Sequence, residues 1–130
     1  MPMDACPKNF NQPMRPSLLA ILSQVKAQVE YHCFANLRTN WVDPLYGELC
    51  LIISEVLAMN PDTTLMINGA CVNTYLVQEV FTQLRNDHVR LVFKNFHNVL
   101  NHVYNKKAYL RTALYNSFFE IESNSANPEA

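Results

Sequence analysis

TTLMINGACVNTYLVQEVF, residues 63–81, is the stretch on which the fold turns. Thr63 to Ile67 are β-prone, and Asn68-Gly69 is the dipeptide that suits a two-residue hairpin turn, because both of its positions need positive φ. Ala70-Cys71-Val72 then return as the second strand. From an Asn73 or Thr74 cap onward the period becomes helical, with Leu76 or Val77, Val80, Phe81 and Leu84 facing inward. A lone two-stranded hairpin is barely stable in water, so this one implies helices to pack upon.

The flanking sequence supplies them. Upstream, Ser17 caps a first helix with the stripe Leu18, Leu22, Val25, Val29, expected to reach about Asn36. Asp43 caps a second, with Pro44 at its first position, where the missing N–H costs nothing. Its stripe is Leu45, Leu49, Ile52, Ile53 and Val56, and Asn60-Pro61 ends it. Downstream, Asn86 or Asp87 caps a fourth helix with Val89, Val92, Phe93, Phe96, Leu100 and Val103 inward. Asn105 caps a fifth, with Tyr109, Leu110, Ala113, Leu114, Ser117 and Phe118 on one side. The expected fold is mainly α, a compact bundle of about five helices with one short β-hairpin.

The composition agrees. The chain has 130 residues, 49% hydrophobic and 16% charged, enough for one globular core. Only 2 glycines are present, which disfavours phosphate-cradling loops and turn-rich all-β folds. Residues 1–16 hold four prolines and read as a disordered leader or linker. Residues 17–121 form the folded unit, and residues 122–130, polar and small, a flexible tail. No signal peptide and no membrane-spanning run is seen, so the chain is expected to be cytoplasmic.

Little in the sequence points to catalysis. Cys6, Cys33, Cys50 and Cys71 form no CxxC pair and read as reduced thiols. His97 and His102 are five apart, so with His32 and His88 they make no metal-ligand spacing, and no GxSxG is present. Neither enzyme, metal nor cofactor is expected. The informative feature is electrostatic. Between positions 85 and 111, Arg85, Arg90, Lys94, Lys106, Lys107 and Arg111 face only Asp87, a local +5 in a chain of net −1. Arg90 with Lys94, and Lys107 with Arg111, are each four apart, so helices four and five could pool a basic patch. Two readings stand: contact with phosphates or an acidic partner, or a solvated face relieving the dipole of helix four. Tyr104, Tyr109 and Tyr115 beside the patch are read as core aromatics before base-stacking ones. Tyr109 and Tyr115, six apart, point to different faces, one expected in the core and the other in solvent.

From Leu65 to Tyr115 the chain resembles the C-terminal domain of the replication initiator (replisome organizer, RepA-like) proteins of Firmicutes plasmids, phages and conjugative elements, which is itself similar to DnaD-type primosome domains. The resemblance is carried by the Asn68-Gly69 turn, by Val77 and Phe81 with Leu84 after them, and by Asp87-His88-Val89. Its most specific block is Asn105, Tyr109, Leu110, Thr112, Ala113, Leu114, Tyr115, Asn116. Val29-Glu30-Tyr31 and the helix from Leu45 to Leu57 also fit, so about residues 18–117 are covered.

The resemblance implies a non-catalytic interaction module of replication initiation that docks on a host primase or helicase loader. The alternative is sequence-independent DNA binding through the six basic residues. Homo-oligomers are left open, and no membrane partner is implied. Val77, Phe81, His88, Asn105, Tyr109, Leu110, Leu114, Tyr115 and Asn116 are expected to be mainly structural. Such proteins usually carry an N-terminal winged helix. None is seen here, so the expectation is an isolated domain, trimmed from a longer protein or left by a truncated gene, and origin recognition is not carried over. After Asn116 the family continues with small, turn-prone residues, whereas Ser117-Phe118-Phe119-Glu120-Ile121 is apolar. It either extends helix five and packs on helix one, or covers a surface used for binding elsewhere in the family.

Overall fold

A computed structural model describes residues 17–99 and 103–126. The expected leader, with Cys6, and also Leu100 and His102 lie outside the described residues. Among the described residues the chain forms a compact, mainly α fold. It comprises α1 (Leu18–Gln28), a 3₁₀ turn (Tyr31–Phe34), α2 (Pro44–Ala58), β1 (Thr64–Ile67), β2 (Ala70–Asn73), α3 (Thr74–Phe81), α4 (Asn86–Val99) and α5 (Lys106–Ala126). No helix here is long and apolar enough to cross a membrane.

Helix α2 is the centre: α1, α3, α4 and α5 all pack on it. Asp43 accepts from the Leu45 N–H (2.9 Å) and Pro44 opens the helix, as the sequence predicts. Leu49, Cys50 and Ile53 are wholly buried, with Val77, Phe81, Leu84, Val89 and Leu114 around them. The hairpin has the predicted register, Ile67 opposite Ala70 and Leu65 opposite Val72, and Asn68 and Gly69 both take positive φ (55° and 79°). Leu65 and Ile67 face the core while Met66 faces out. The hairpin then leads straight into α3, where Thr74 N–H donates to the Thr63 carbonyl (2.9 Å) and the two hydroxyls hydrogen-bond (2.8 Å).

Four expectations need correction. The first helix stops at Gln28 instead of reaching Asn36, because Glu30 turns into the left-handed region (φ 55°). The turn is held from far along the chain: Asn86 Nδ2 donates to the Val29 carbonyl (2.9 Å). On that helix Ile21 is buried, whereas Leu18, expected inward, is 39% exposed. Helix α4 is not capped by an Asn86 or Asp87 side chain. His88, buried inside its first turn, accepts from the Arg85 N–H through Nδ1 (2.8 Å). Helix α5 begins as expected, with Asn105 Oδ1 accepting from the Ala108 N–H (3.1 Å), but it runs on to Ala126, past the expected end at Ile121. The apolar segment therefore extends the helix: Phe118 lies on the His88 ring (5.7 Å between centroids), and Glu122 reaches Arg85 (3.5 Å).

Candidate interaction surface

The six basic residues do not assemble into one patch. Lys106 and Lys107 reach across to α2, where Glu48 and Glu55 each lie 2.8 Å away. Arg85 faces Glu122. Lys106 and Glu122 stand near opposite ends of α5, about 24 Å apart at 1.5 Å of rise per residue, so these cations are spread along the helix. Arg111 is half-buried, and its Nε, shielded from solvent, meets no hydrogen-bond acceptor. Arg90 and Lys94 have no carboxylate partner among the described residues. Arg90 donates to Asn86 Oδ1 (2.6 Å) and to the Cys33 carbonyl (2.8 Å), with its guanidinium 5.0 Å above the Phe34 ring. Lys94, one turn farther along α4, is exposed.

Beneath Arg90 runs a column of rings. Phe34 stacks on Tyr46 (4.0 Å, 5° between planes), Tyr46 on Phe93 (4.1 Å, 6°), and His97 leans on Phe93 (4.6 Å). The column ties the 3₁₀ turn, α2 and α4 together. Burial raises the Tyr46 hydroxyl above its usual pKa, and the nearby Arg90 partly offsets this. Lys26 sits 4.7 Å over Tyr31, whose ring meets Phe34 edge-on (6.2 Å). A cation above an aromatic face is attracted to the ring's negative centre. No spacing rule would have revealed this column, because its stacked rings Phe34, Tyr46 and Phe93 come from three different elements.

The motif residues serve as framework. Val77, Phe81, Leu110 and Leu114 are buried. Asn68 and Asn116 exchange two amide hydrogen bonds, each 3.0 Å, which fasten the hairpin turn to α5. Asn105 caps α5, and Tyr109 leans on Phe96 (5.9 Å). Tyr109 and Tyr115 are both half-buried against the core, so neither is the fully exposed member of the expected pair, while Tyr104 stands wholly in solvent. His88 is fully buried. Desolvation holds its pKa below the usual histidine value, opposed by Asp87 and Glu122 and reinforced by Arg85.

Of the cysteines described, Cys50 is buried and its thiol is pushed up to about 11 by desolvation. Cys33 is exposed beside His32 Nε2 (3.4 Å), and Cys71 is exposed beside the Met66 sulfur (3.5 Å). Among the described residues no group of three or more His, Cys, Asp or Glu is placed to hold a metal ion.

The model of one protein family, described as a family of unknown function (DUF6017), matches residues 17–126. No curated protein and no solved structure matches the chain.

Proposed function

The chain belongs to this family of unknown function, DUF6017, and from that premise we propose that it is a non-catalytic interaction module of mobile-element DNA replication initiation, docking on a host primase or helicase loader. One observation carries the reading. Two blocks of sequence that resemble replication initiators, 48 positions apart in the chain, meet in one unit: Asn68 of the hairpin turn and Asn116 of α5 hold each other by two amide hydrogen bonds. A resemblance of scattered residues would not need to converge. The pairing of Lys106 and Lys107 with α2 carboxylates, and of Arg85 with Glu122, favours protein docking over phosphate tracking, because paired cations release fewer counterions on DNA. The proposed role implies a cytoplasmic location.

The test is direct binding of the purified chain to the host's primase and helicase loader by calorimetry. Saturable binding to either is expected. Failure to saturate with both, alongside binding to oligonucleotides that weakens steeply with salt, would replace this reading with DNA contact.

A further inference from the structure

The segment from Asn36 to Trp41, passed over in the sequence as the tail of a helix and its loop, is cross-braced. Asn36 N–H donates to the Trp41 carbonyl (2.8 Å), and Asn40 N–H donates to the Asn36 carbonyl (2.7 Å). Asn36 Oδ1 accepts from the N–H groups of Arg38 (2.8 Å) and Thr39 (3.1 Å), and Thr39 Oγ1 accepts from the Trp41 N–H (3.3 Å). Asn40 takes positive φ (61°), which asparagine tolerates better than most residues. What this braced loop holds up is apolar: Leu37 is 102% exposed and Trp41, the only tryptophan in the chain, 59%.

The charge around the loop is lopsided. Arg38 lies in it, Arg90 is held over Phe34 just before it, and Lys26 over Tyr31. None of these three faces a carboxylate within ion-pair distance among the described residues. The two acidic neighbours in the chain are Asp43, turned to the Leu45 N–H as a helix cap, and Glu30 at the start of the 3₁₀ turn. Rigid display of tryptophan and arginine on a polar rim is the composition that carries most energy in protein interfaces, and bracing a loop before binding lowers its ordering cost.

We propose that residues 36–41 are the anchor by which this domain docks on its protein partner, with Trp41 and Leu37 entering an apolar pocket whose acidic rim faces Arg38, Arg90 and Lys26. The occupant is a protein surface because Leu37, the most exposed of the apolar side chains here, has no ring to stack on a base, whereas single-strand binders read bases by stacking. The inference deepens the docking role and rests on it.

The experiment uses the full chain and its variants Trp41→Ala, Leu37→Ser and Arg38→Glu, with Phe119→Ser on α5 as an exposed control. Because the three loop side chains are exposed, their variants should melt like the parent. Against primase or helicase loader, Trp41→Ala is expected to weaken binding about tenfold or more, while Phe119→Ser leaves it unchanged. Binding that ignores Trp41→Ala overturns the anchor and leaves the docking role standing. If neither protein binds, the docking role fails. The anchor is then judged by titrating the isotope-labelled chain with a peptide alternating Glu and Leu, its Lys-for-Glu counterpart, and an oligo-dT. Saturable shifts confined to Leu37, Arg38 and Trp41 with the acidic peptide alone support it. No saturation, or the same shifts with the Lys peptide or oligo-dT, overturns it.

Discussion

Asn68 and Asn116, 48 positions apart, hold each other by a reciprocal pair of amide hydrogen bonds, 3.0 Å each way, so the hairpin turn and the middle of α5 are one joint. Asn116→Ala breaks both bonds. Because the pair is exposed, the expected cost is about 0.5–1.5 kcal/mol, read from denaturant unfolding. Asn68→Gly removes the other side chain without straining the turn, since glycine accepts positive φ there. A double-mutant cycle of the two should give a coupling energy of about 0.5 kcal/mol or more. Full additivity would mean the joint contributes nothing to stability.

The two glycines should respond to alanine with opposite signs. Gly69 sits at φ 79° with open space where a Cβ would go, so Gly69→Ala costs only backbone strain, about 1–2 kcal/mol. Gly47 lies inside α2, where an added Cβ would meet the Tyr31 hydroxyl at 3.7 Å, an ordinary contact. Gly47→Ala is therefore expected to stabilise by about 0.5–1 kcal/mol through helix propensity. Thermal melts of the two variants, one lower and one higher than the parent, check both.

The scarcity of glycine has a further consequence at the helix ends. Many helices finish on a glycine that turns left-handed and ties up the last carbonyls. Here the described helices α1 to α3 instead receive side-chain amides from other elements. Gln78 of α3 donates to the Val56 and Met59 carbonyls that end α2 (2.9 Å each). Gln28 of α1 donates to the Phe81 and Leu84 carbonyls that end α3 (3.0 and 2.7 Å), and Asn86 of α4 to the Val29 carbonyl after α1. Gln78→Leu leaves the Met59 carbonyl without a donor, while Val56 still accepts from the Met59 N–H (3.1 Å). Gln28→Leu does the same to the Leu84 carbonyl, while Phe81 keeps a longer bond from the Leu84 N–H (3.4 Å). Each is expected to cost about 1–3 kcal/mol in chemical denaturation. Loss near zero for both would mean water replaces the amides.

These long-range caps mark where the sequence stops being readable. The Asn68-Gly69 turn, the Asp43-Pro44 start of α2 and the Asn105 start of α5 were legible because each signal lies within a few residues of its effect. The end of α1 was not, because Asn86, far along the chain, fixes it. The basic patch failed as a single surface for the same reason. Its residues share a short window, but Glu48, Glu55 and Glu122, which pair with three of them, lie outside it. The loop from Asn36 to Trp41 was not legible because helix one was expected to reach about Asn36 and the short stretch before the Asp43 cap carries no periodic signal, although a tryptophan two residues ahead of that cap was the available hint.

His88 makes stability depend on pH in a direction that follows from its burial. Its Nδ1 accepts from the Arg85 N–H, so the proton of the neutral ring sits on Nε2, which has no acceptor within hydrogen-bond reach and lies 3.8 Å from Glu122 Oε2. Charging the ring places a cation in a site shared with Phe118, with Arg85 opposing it and Asp87 and Glu122 only partly compensating, so its pKa lies below the ordinary 6.5. The unfolded chain then binds the proton first as pH falls. Stability contributed by the neutral ring is complete above about 6.5 and is lost progressively below it, levelling only under the folded pKa. The variant His88→Asn keeps an acceptor for the Arg85 N–H but cannot titrate. Unfolding free energies of parent and variant, compared between pH 7.5 and pH 5, should converge on acidification as the parent loses its advantage. Parallel curves would show that the ring is not titrating against the fold.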